Sequence, residues 1–318
     1  MTDEFGRSLN YLRISVTDLC NLRCQYCMPE EGVPKYQHQD RLHFDELEKI
    51  VGTLVGMGID KIRITGGEPL VKRGIVSVIR SIKAMPGVKE VAMTTNGILL
   101  EQMASELRSA GLDRVNVSLD TLDETKFREM TRGGDLKQVL SGIKKVQSLG
   151  MTPVKLNVVL IGGFNESEIS DFVNLTVQEE IEVRFIELMP IGEAVKWNRE
   201  QFISAEEVLR REPKLQKIKK EDPSSPADYY QLPGAKGKVG IIRPISCKFC
   251  SHCNRLRLTS DGKLKYCLHS DNELDLRAVL SRSKDLEKAV TEYIKQKPEE
   301  HHLEQNKYLK KSMYEIGG

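Results

Sequence analysis

The chain has 318 residues, enough for one large α/β domain or a large domain with a smaller companion, and 39% of them are hydrophobic and 30% charged. A formal net charge of only +2 gives no ground for a nucleic-acid or membrane surface, while leaving room for a local basic pocket that takes a phosphorylated small molecule. The opening "MTDEFGRSLNYLRISV" carries charges where an export signal needs an apolar run, and no uncharged stretch is long enough to cross a bilayer, so a soluble, cytoplasmic protein is expected.

In chain order, the first strand pattern is "YLRISV" at 11–16, followed at once by "CNLRCQYC", which holds three of the seven cysteines. Further strand patterns fall at 61–67, 90–97, 114–120, 154–161 and 181–189. Between most of them run helical patterns such as "FDELEKIVGTLVGM" and "LKQVLSGIKKVQSL", with apolar residues three and four apart. Such alternation implies parallel strands joined by right-handed crossovers, and fits a partial barrel or a doubly wound sheet. The motifs "TGGEP", "TTNG", "SLD" and "MP" cluster where strands end, the edge at which parallel α/β folds bind ligands.

Near residue 190 the alternation breaks. The charged, proline-punctuated "KIKKEDPSSPADYY" reads as a connection or exposed loop, and short strands follow in "KVGIIRPI" and "NRLRLTSDGKLKYCL", the latter a hairpin turning at Asp261-Gly262. The other four cysteines, Cys247, Cys250, Cys253 and Cys267, lie in this region. An odd total in two tight groups argues against a disulfide framework and for metal chemistry.

Cys20, Cys24 and Cys27 are spaced C-x3-C-x2-C. Thiolates are the usual ligands of iron–sulfur clusters, and a four-iron cluster held by three of them keeps one iron open to a substrate or cofactor. The spacing, with Tyr26 as an aromatic before the last cysteine, resembles the radical S-adenosylmethionine superfamily. That resemblance implies a [4Fe–4S] cluster whose open iron chelates S-adenosyl-L-methionine and whose electron releases a 5′-deoxyadenosyl radical. Carried over position by position, it assigns contacts with S-adenosylmethionine to Tyr26, Gly66, Gly67, Glu68, Ser118 and Met189.

The pattern F-C-x2-C-N-R-x-R-L with a distant Cys267 narrows the resemblance. Together with "CNLRCQYCMP", "TGGEPL", "RFIELMP" and the terminal "IGG", it is similar to the GTP 3′,8-cyclase family of molybdenum cofactor biosynthesis. The expected fold is then a partial (β/α)6 TIM-like barrel of the radical S-adenosylmethionine type in residues 1–200. A smaller C-terminal region, 201–318, would hold a second [4Fe–4S] cluster on Cys250, Cys253 and Cys267. Cys247 departs from the family pattern, and ligation by it would close the second cluster's open iron.

A triphosphate needs fixed cations, and Arg13, Arg63, Lys155 and Arg184 stand on otherwise apolar predicted strands, with Lys61 beside Arg63. The resemblance assigns GTP to Arg13, Arg63, Thr94, Lys155 and the stretch Arg255, Leu256, Arg257, with Lys61 and Arg184 as additions. It implies abstraction of the ribose H3′ and attack on guanine C8, with Arg255, Arg257 and the tail residues Gly317 and Gly318 assisting. It also implies a low-potential electron donor, cyclic pyranopterin monophosphate synthase (MoaC) as the next enzyme, and is compatible with a homodimer. Two other readings compete: a peptide-modifying radical enzyme with an auxiliary cluster, for which no peptide-docking segment is visible, and a non-catalytic zinc-binding protein.

Overall fold

The computed structural model describes residues 1–33, 41–197, 199–282, 285–301 and 311–317. Six strands appear where the alternation predicts them: β1 (Tyr11–Ser15), β2 (Lys61–Thr65), β3 (Glu90–Thr95), β4 (Arg114–Ser118), β5 (Val154–Leu160) and β6 (Ile181–Glu187). The helices between them are α1 (Phe44–Gly56), α2 (Ile75–Ala84), α3 (Leu100–Ser109), α4 (Glu124–Thr131), α5 (Leu136–Ser148) and α6 (Ile169–Gln178). Local chemistry marks several helix starts: Asp123 and Asp135 accept backbone N–H bonds from Lys126 and Lys137, capping α4 and α5.

After α7 (Glu207–Arg211) come β7 (Gln216–Ile218), β8 (Ala227–Gln231), β9 (Lys238–Ile242), β10 (Arg255–Leu258), β11 (Lys263–Lys265) and β12 (Leu274–Asp275). The helices α8 (Leu276–Ser281), α9 (Leu286–Ile294) and α10 (Met313–Ile316) follow. All strands join one sheet in the order β12-β11-β10-β1-β2-β3-β4-β5-β6-β9-β8-β7. Its middle is parallel: β9 extends the series beyond β6, and β10 lies parallel to β1 on the other side. Short antiparallel pairs finish each edge.

The two faces of this sheet differ in chemistry. Leu12, Ile14, Ile62, Ile64, Val91, Met93, Val115 and Val117 are fully buried and join the helices in one apolar core. The alternate residues, Tyr11, Arg13, Lys61, Arg63, Glu90, Arg114, Lys155, Asn157, Arg184 and Lys238, line a single cavity of about 370 Å³. A parallel sheet covered on both faces would be apolar on both. In a flat sheet, moreover, β1 and β9 would stand about 29 Å apart, six steps of strand spacing. Residues from both meet at one cavity, so the sheet curls into a partial barrel with a polar lumen.

One sequence reading changes here. The stretch at 217–230 is not simply an exposed loop: its ends pair as the antiparallel β7 and β8, and the hydroxyl of the buried Tyr229 meets Arg184 Nη2 at 2.8 Å. The aromatic pair Tyr229-Tyr230 was the signal that the segment had somewhere to pack. The hairpin at Asp261-Gly262 forms as expected, with Gly262 at φ +87°. Its first strand is also the neighbour of β1, so the sheet runs unbroken between the N-terminal barrel and the segment carrying the second cysteine group.

Candidate active site

The loop after β1 brings Cys20, Cys24 and Cys27 together at the C-terminal edge of the sheet. The Cys24 carbonyl accepts from the N–H groups of Cys27 and Met28 at 2.9 and 3.0 Å, a tight turn that fixes the spacing of the last two sulfurs. Asn96, from "TTNG", donates its amide to Cys20 Sγ at 3.7 Å. The Tyr26 hydroxyl donates to Asp120 Oδ2 at 2.8 Å, and its ring stands edge-on to Trp197 at 6.2 Å. Burial raises the Cys24 thiol well above its ordinary value, and the nearby Cys27, Asp120 and Cys20 add to the effect. Burial, Cys20 and Asp120 likewise push Cys27 up to about 12. Three thiolates that feel one another's charge while this desolvated need a cationic centre, and because no three such side chains among the described residues close on a single metal ion, the wider span of an iron–sulfur cluster with three cysteine ligands fits that demand.

Beside this loop, Gly66 and Gly67 allow "TGGEP" to touch the chain leading into the cysteines. A Cβ on Gly66 would come within 2.5 Å of the Thr17 carbonyl, and one on Gly67 would press into the carbonyls of Leu19 and Asp18. The Gly67 and Glu68 N–H groups donate to Thr17 O and Leu19 O at 2.7 and 2.8 Å. Glu68 is buried, and its carboxylate accepts from Thr95 Oγ1 and from the N–H groups of Leu70 and Asn96. It thereby ties two strand-end motifs together. Gly67→Ala is expected to force the two loops apart at a cost of about 1–3 kcal/mol. Equilibrium dialysis of S-adenosylmethionine against the reconstituted variant should show weakened binding, with iron content lowered or unchanged. Wild-type affinity would remove Gly67 from that site.

The second group flanks the β10–β11 hairpin. A single helical turn carries Cys250, with Cys253 at its end, and the β10–β11 hairpin returns Cys267 to them. Burial raises the Cys250 thiol; a backbone hydrogen bond from His301 and the charge of Lys248 oppose this while Cys267 and Cys253 add to it, whereas the exposed Cys247 acts on Arg243. Burial raises the Cys253 thiol, but the cations of Arg255 and Lys297 outweigh it and bring it to about 7. This set too fits a cluster with three protein ligands. Glu187, fully buried at the end of β6, accepts from the N–H groups of Ile245 and Ser246 at 3.1 and 3.0 Å, and so fixes the approach to this group.

Strands β1 and β10, which lead into the first group and out of the second, help to line the cation-rich lumen. Eight basic side chains line it against three acidic ones, so it suits an anionic guest. Strand register stacks Arg257, Arg13 and Arg63 side by side across three neighbouring strands. Burial first, and then the charge of Arg257, lower the Arg13 guanidinium pKa. Arg255 stacks over Phe249 at 4.8 Å and Arg63 over Tyr11 at 5.7 Å. The Arg63 Nε and Thr94 Oγ1 atoms are buried without a hydrogen-bond partner. Glu182, on the neighbouring strand to Lys155, meets Lys155 at 2.8 Å and Arg184 at 2.5 Å. Burial alone would raise this carboxyl, but Arg184 and Lys155 prevail and hold it at about 2. Lys61 pairs with Asp222 at 2.7 Å at the lower mouth.

Of the remaining sequence candidates, Ser118 ends β4, half-buried, and Leu256 faces the apolar core rather than the lumen. Met189 joins Ile191, Leu268, Met313 and Ile316 in a small apolar cluster that packs the C-terminal helix against the end of β6. This brings Gly317 to Thr65 and Ser15, where its carbonyl accepts from Arg257 Nη1 at 2.6 Å. Gly318 lies outside the described residues. Sequence reasoning missed Asp120, Asn96, Glu182 and Glu187. Each was visible as an acid or amide at a strand end or on a lumen-facing position, but its partner lies far away along the chain.

Residues 14–176 match the Radical SAM superfamily and residues 181–303 match Molybdenum Cofactor Synthesis C. Among solved structures, Streptococcus suis SuiB bound to S-adenosylmethionine shares the fold, at a TM-score of 0.57 and 13% identity, over 89% of this chain and 68% of that one. Two GTP 3′,8-cyclases are far nearer in sequence. That of Peptoclostridium acidaminophilum is 59% identical, covering 100% of this chain and 98% of its own length, and that of Alkaliphilus metalliredigens is 54% identical over 100% of both. With identity of that order from end to end and both family matches in place, the chain belongs to the GTP 3′,8-cyclase family of radical S-adenosylmethionine enzymes.

Proposed function

We propose that this chain converts GTP to (8S)-3′,8-cyclo-7,8-dihydroguanosine 5′-triphosphate, the cyclase reaction of molybdenum cofactor biosynthesis, and that it does so between two [4Fe–4S] clusters. The observation that carries this reading is a cation-lined lumen two of whose strands, β1 and β10, run directly into one three-cysteine group and out of the other. When bound, the cluster on Cys20, Cys24 and Cys27 would supply, with S-adenosylmethionine, the 5′-deoxyadenosyl radical that takes H3′ of the ribose; bonding of C3′ to guanine C8 then leaves a purine-centred radical, which one electron from a low-potential donor and one proton convert to the 7,8-dihydro product. Tyr26, Gly66, Gly67, Glu68, Ser118 and Met189 surround S-adenosylmethionine. Arg13, Lys61, Arg63, Thr94, Lys155, Arg184, Arg255 and Arg257 hold the nucleotide, while Leu256 supports its neighbours from the core side. The chain's own contribution is placement and exclusion of water, with Arg257 holding Gly317 at the site. Cys250, Cys253 and Cys267 would hold the second cluster, which would supply an open iron for the guanine.

The functional division runs at about residue 200, with the radical-generating barrel before it and the second cluster after it. A low-potential donor feeds electrons to this cytoplasmic enzyme, and MoaC consumes the product. Neither the peptide-maturase reading nor the zinc reading is favoured by relatives of this kind. Anaerobic incubation with S-adenosylmethionine, reductant and GTP is expected to yield 5′-deoxyadenosine and a cyclised guanosine triphosphate. Formation of neither would overturn the reading.

Lys155 makes the GTP site sensitive to pH. Burial, then Arg184, bring its amine down to about 7 despite the adjacent Glu182. A triphosphate beside it favours the ammonium, so binding takes up a proton above pH 7 and affinity falls as pH rises, by at most about tenfold per unit. Calorimetric titration with GTP at pH 6.5 and 8.5 should show this weakening, and Lys155→Arg should flatten it. A flat wild-type profile would remove Lys155 from the phosphate site.

A further inference from the structure

Lys297 follows α9 and is 3% exposed. Its Nζ donates to three acceptors at once: the Arg255 carbonyl at 3.4 Å, the Tyr266 carbonyl, and Cys253 Sγ at 3.8 Å. Three acceptors need three N–H bonds, which only the ammonium possesses. None of the three is a carboxylate. Other buried lysines here are answered by one: Lys265 by Glu273 at 3.1 Å and Lys155 by Glu182 at 2.8 Å. A buried ammonium among neutral acceptors is costly, so the sulfur is the group placed to supply its counter-charge. The two carbonyls belong to the segments that carry Cys253 and Cys267, so one side chain joins both arms of the second group.

We propose that Lys297 is a positioning residue for the metal group on Cys250, Cys253 and Cys267, holding its two arms together and making the bound cluster easier to reduce. This rests on the second-cluster reading given above. Reduction adds negative charge to a thiolate-ligated cluster, and a cation hydrogen-bonded to a ligating sulfur stabilises that added charge.

The test uses the full chain with Cys20→Ala, Cys24→Ala and Cys27→Ala, so that iron and sulfide counts and EPR-monitored redox titrations report the second group alone. Into it go Lys297→Arg, Lys297→Gln and Lys297→Met. The expected result is that all four proteins hold a cluster. The Gln and Met variants should then show the reduced-to-oxidised ratio at a fixed potential lowered tenfold or more, 59 mV for a one-electron couple. The Arg variant should stay within about twofold of its parent. Cluster retention in the parent and the Arg variant only would also support the role of charge. Retention in all with one common potential would overturn it, as would failure of the Arg variant along with the others, which would make the lysine a matter of shape. A parent that binds no iron would sink the second-cluster reading itself, a different result from any of these.

Discussion

Cys24→Ser should abolish turnover, lowering 5′-deoxyadenosine formation by at least about three orders of magnitude, while the barrel remains folded. Cys24 is the central sulfur of the first group, and its carbonyl also shapes the turn that places Cys27. Serine keeps that backbone turn and loses the thiolate, so the effect falls on metal binding and spares packing. Iron should drop from about eight to about four atoms per chain, the remainder belonging to the second group. The same variant should still bind GTP, because the arginines of the lumen are untouched. Turnover within tenfold of wild type, or loss of all iron at once, would show that the two groups are not the independent sites described above.

Arg257→Met should lower kcat/KM for GTP by about a hundredfold to a thousandfold, about 3–4 kcal/mol, the worth of two charge-assisted hydrogen bonds in a desolvated site. Arg257 stands in a row with Arg13 and Arg63, and it holds the C-terminal segment through the Gly317 carbonyl. Burial lowers its pKa, and Arg255 lowers it further, so in the absence of a nucleotide it sits against its own kind. Its removal should therefore leave the melting temperature of the free protein unchanged or raised, even as activity collapses. Arg257→Lys keeps the charge without the fork and should recover part of the loss. A variant that melts several degrees lower and keeps its kcat/KM would reverse the assignment, making Arg257 a structural residue.

Much of this site was legible because a strand has a period of two. In "YLRIS" and "KIRIT" the cations alternate with leucine and isoleucine, and a charge at every second position of a parallel strand has only a polar interior to face. The cysteine spacings were legible for a similar reason, since ligands close in sequence are close in space. The pairings were not. Glu182 reads as a surface acid until β5 and β6 are aligned and Lys155 is found across from it. Asp222 and Tyr229 lie in a segment whose prolines, serines and charges read as exposed loop, yet one reaches Lys61 from the opposite edge of the sheet and the other Arg184, two strands away. The adjacency of β10 to β1 joins residues at opposite ends of the chain, and no local pattern carries it.

That adjacency bears on how the molecule is made. A ribosome delivers β1 almost at once, but the strand that covers its free edge is Arg255–Leu258, so the nascent barrel waits with one side open while most of the chain is synthesised. At ~5–20 residues per second that interval is on the order of tens of seconds, during which the edge and the three neighbouring thiols are exposed to pairing and oxidation. Maturation of the first metal group should accordingly come after release of the finished polypeptide.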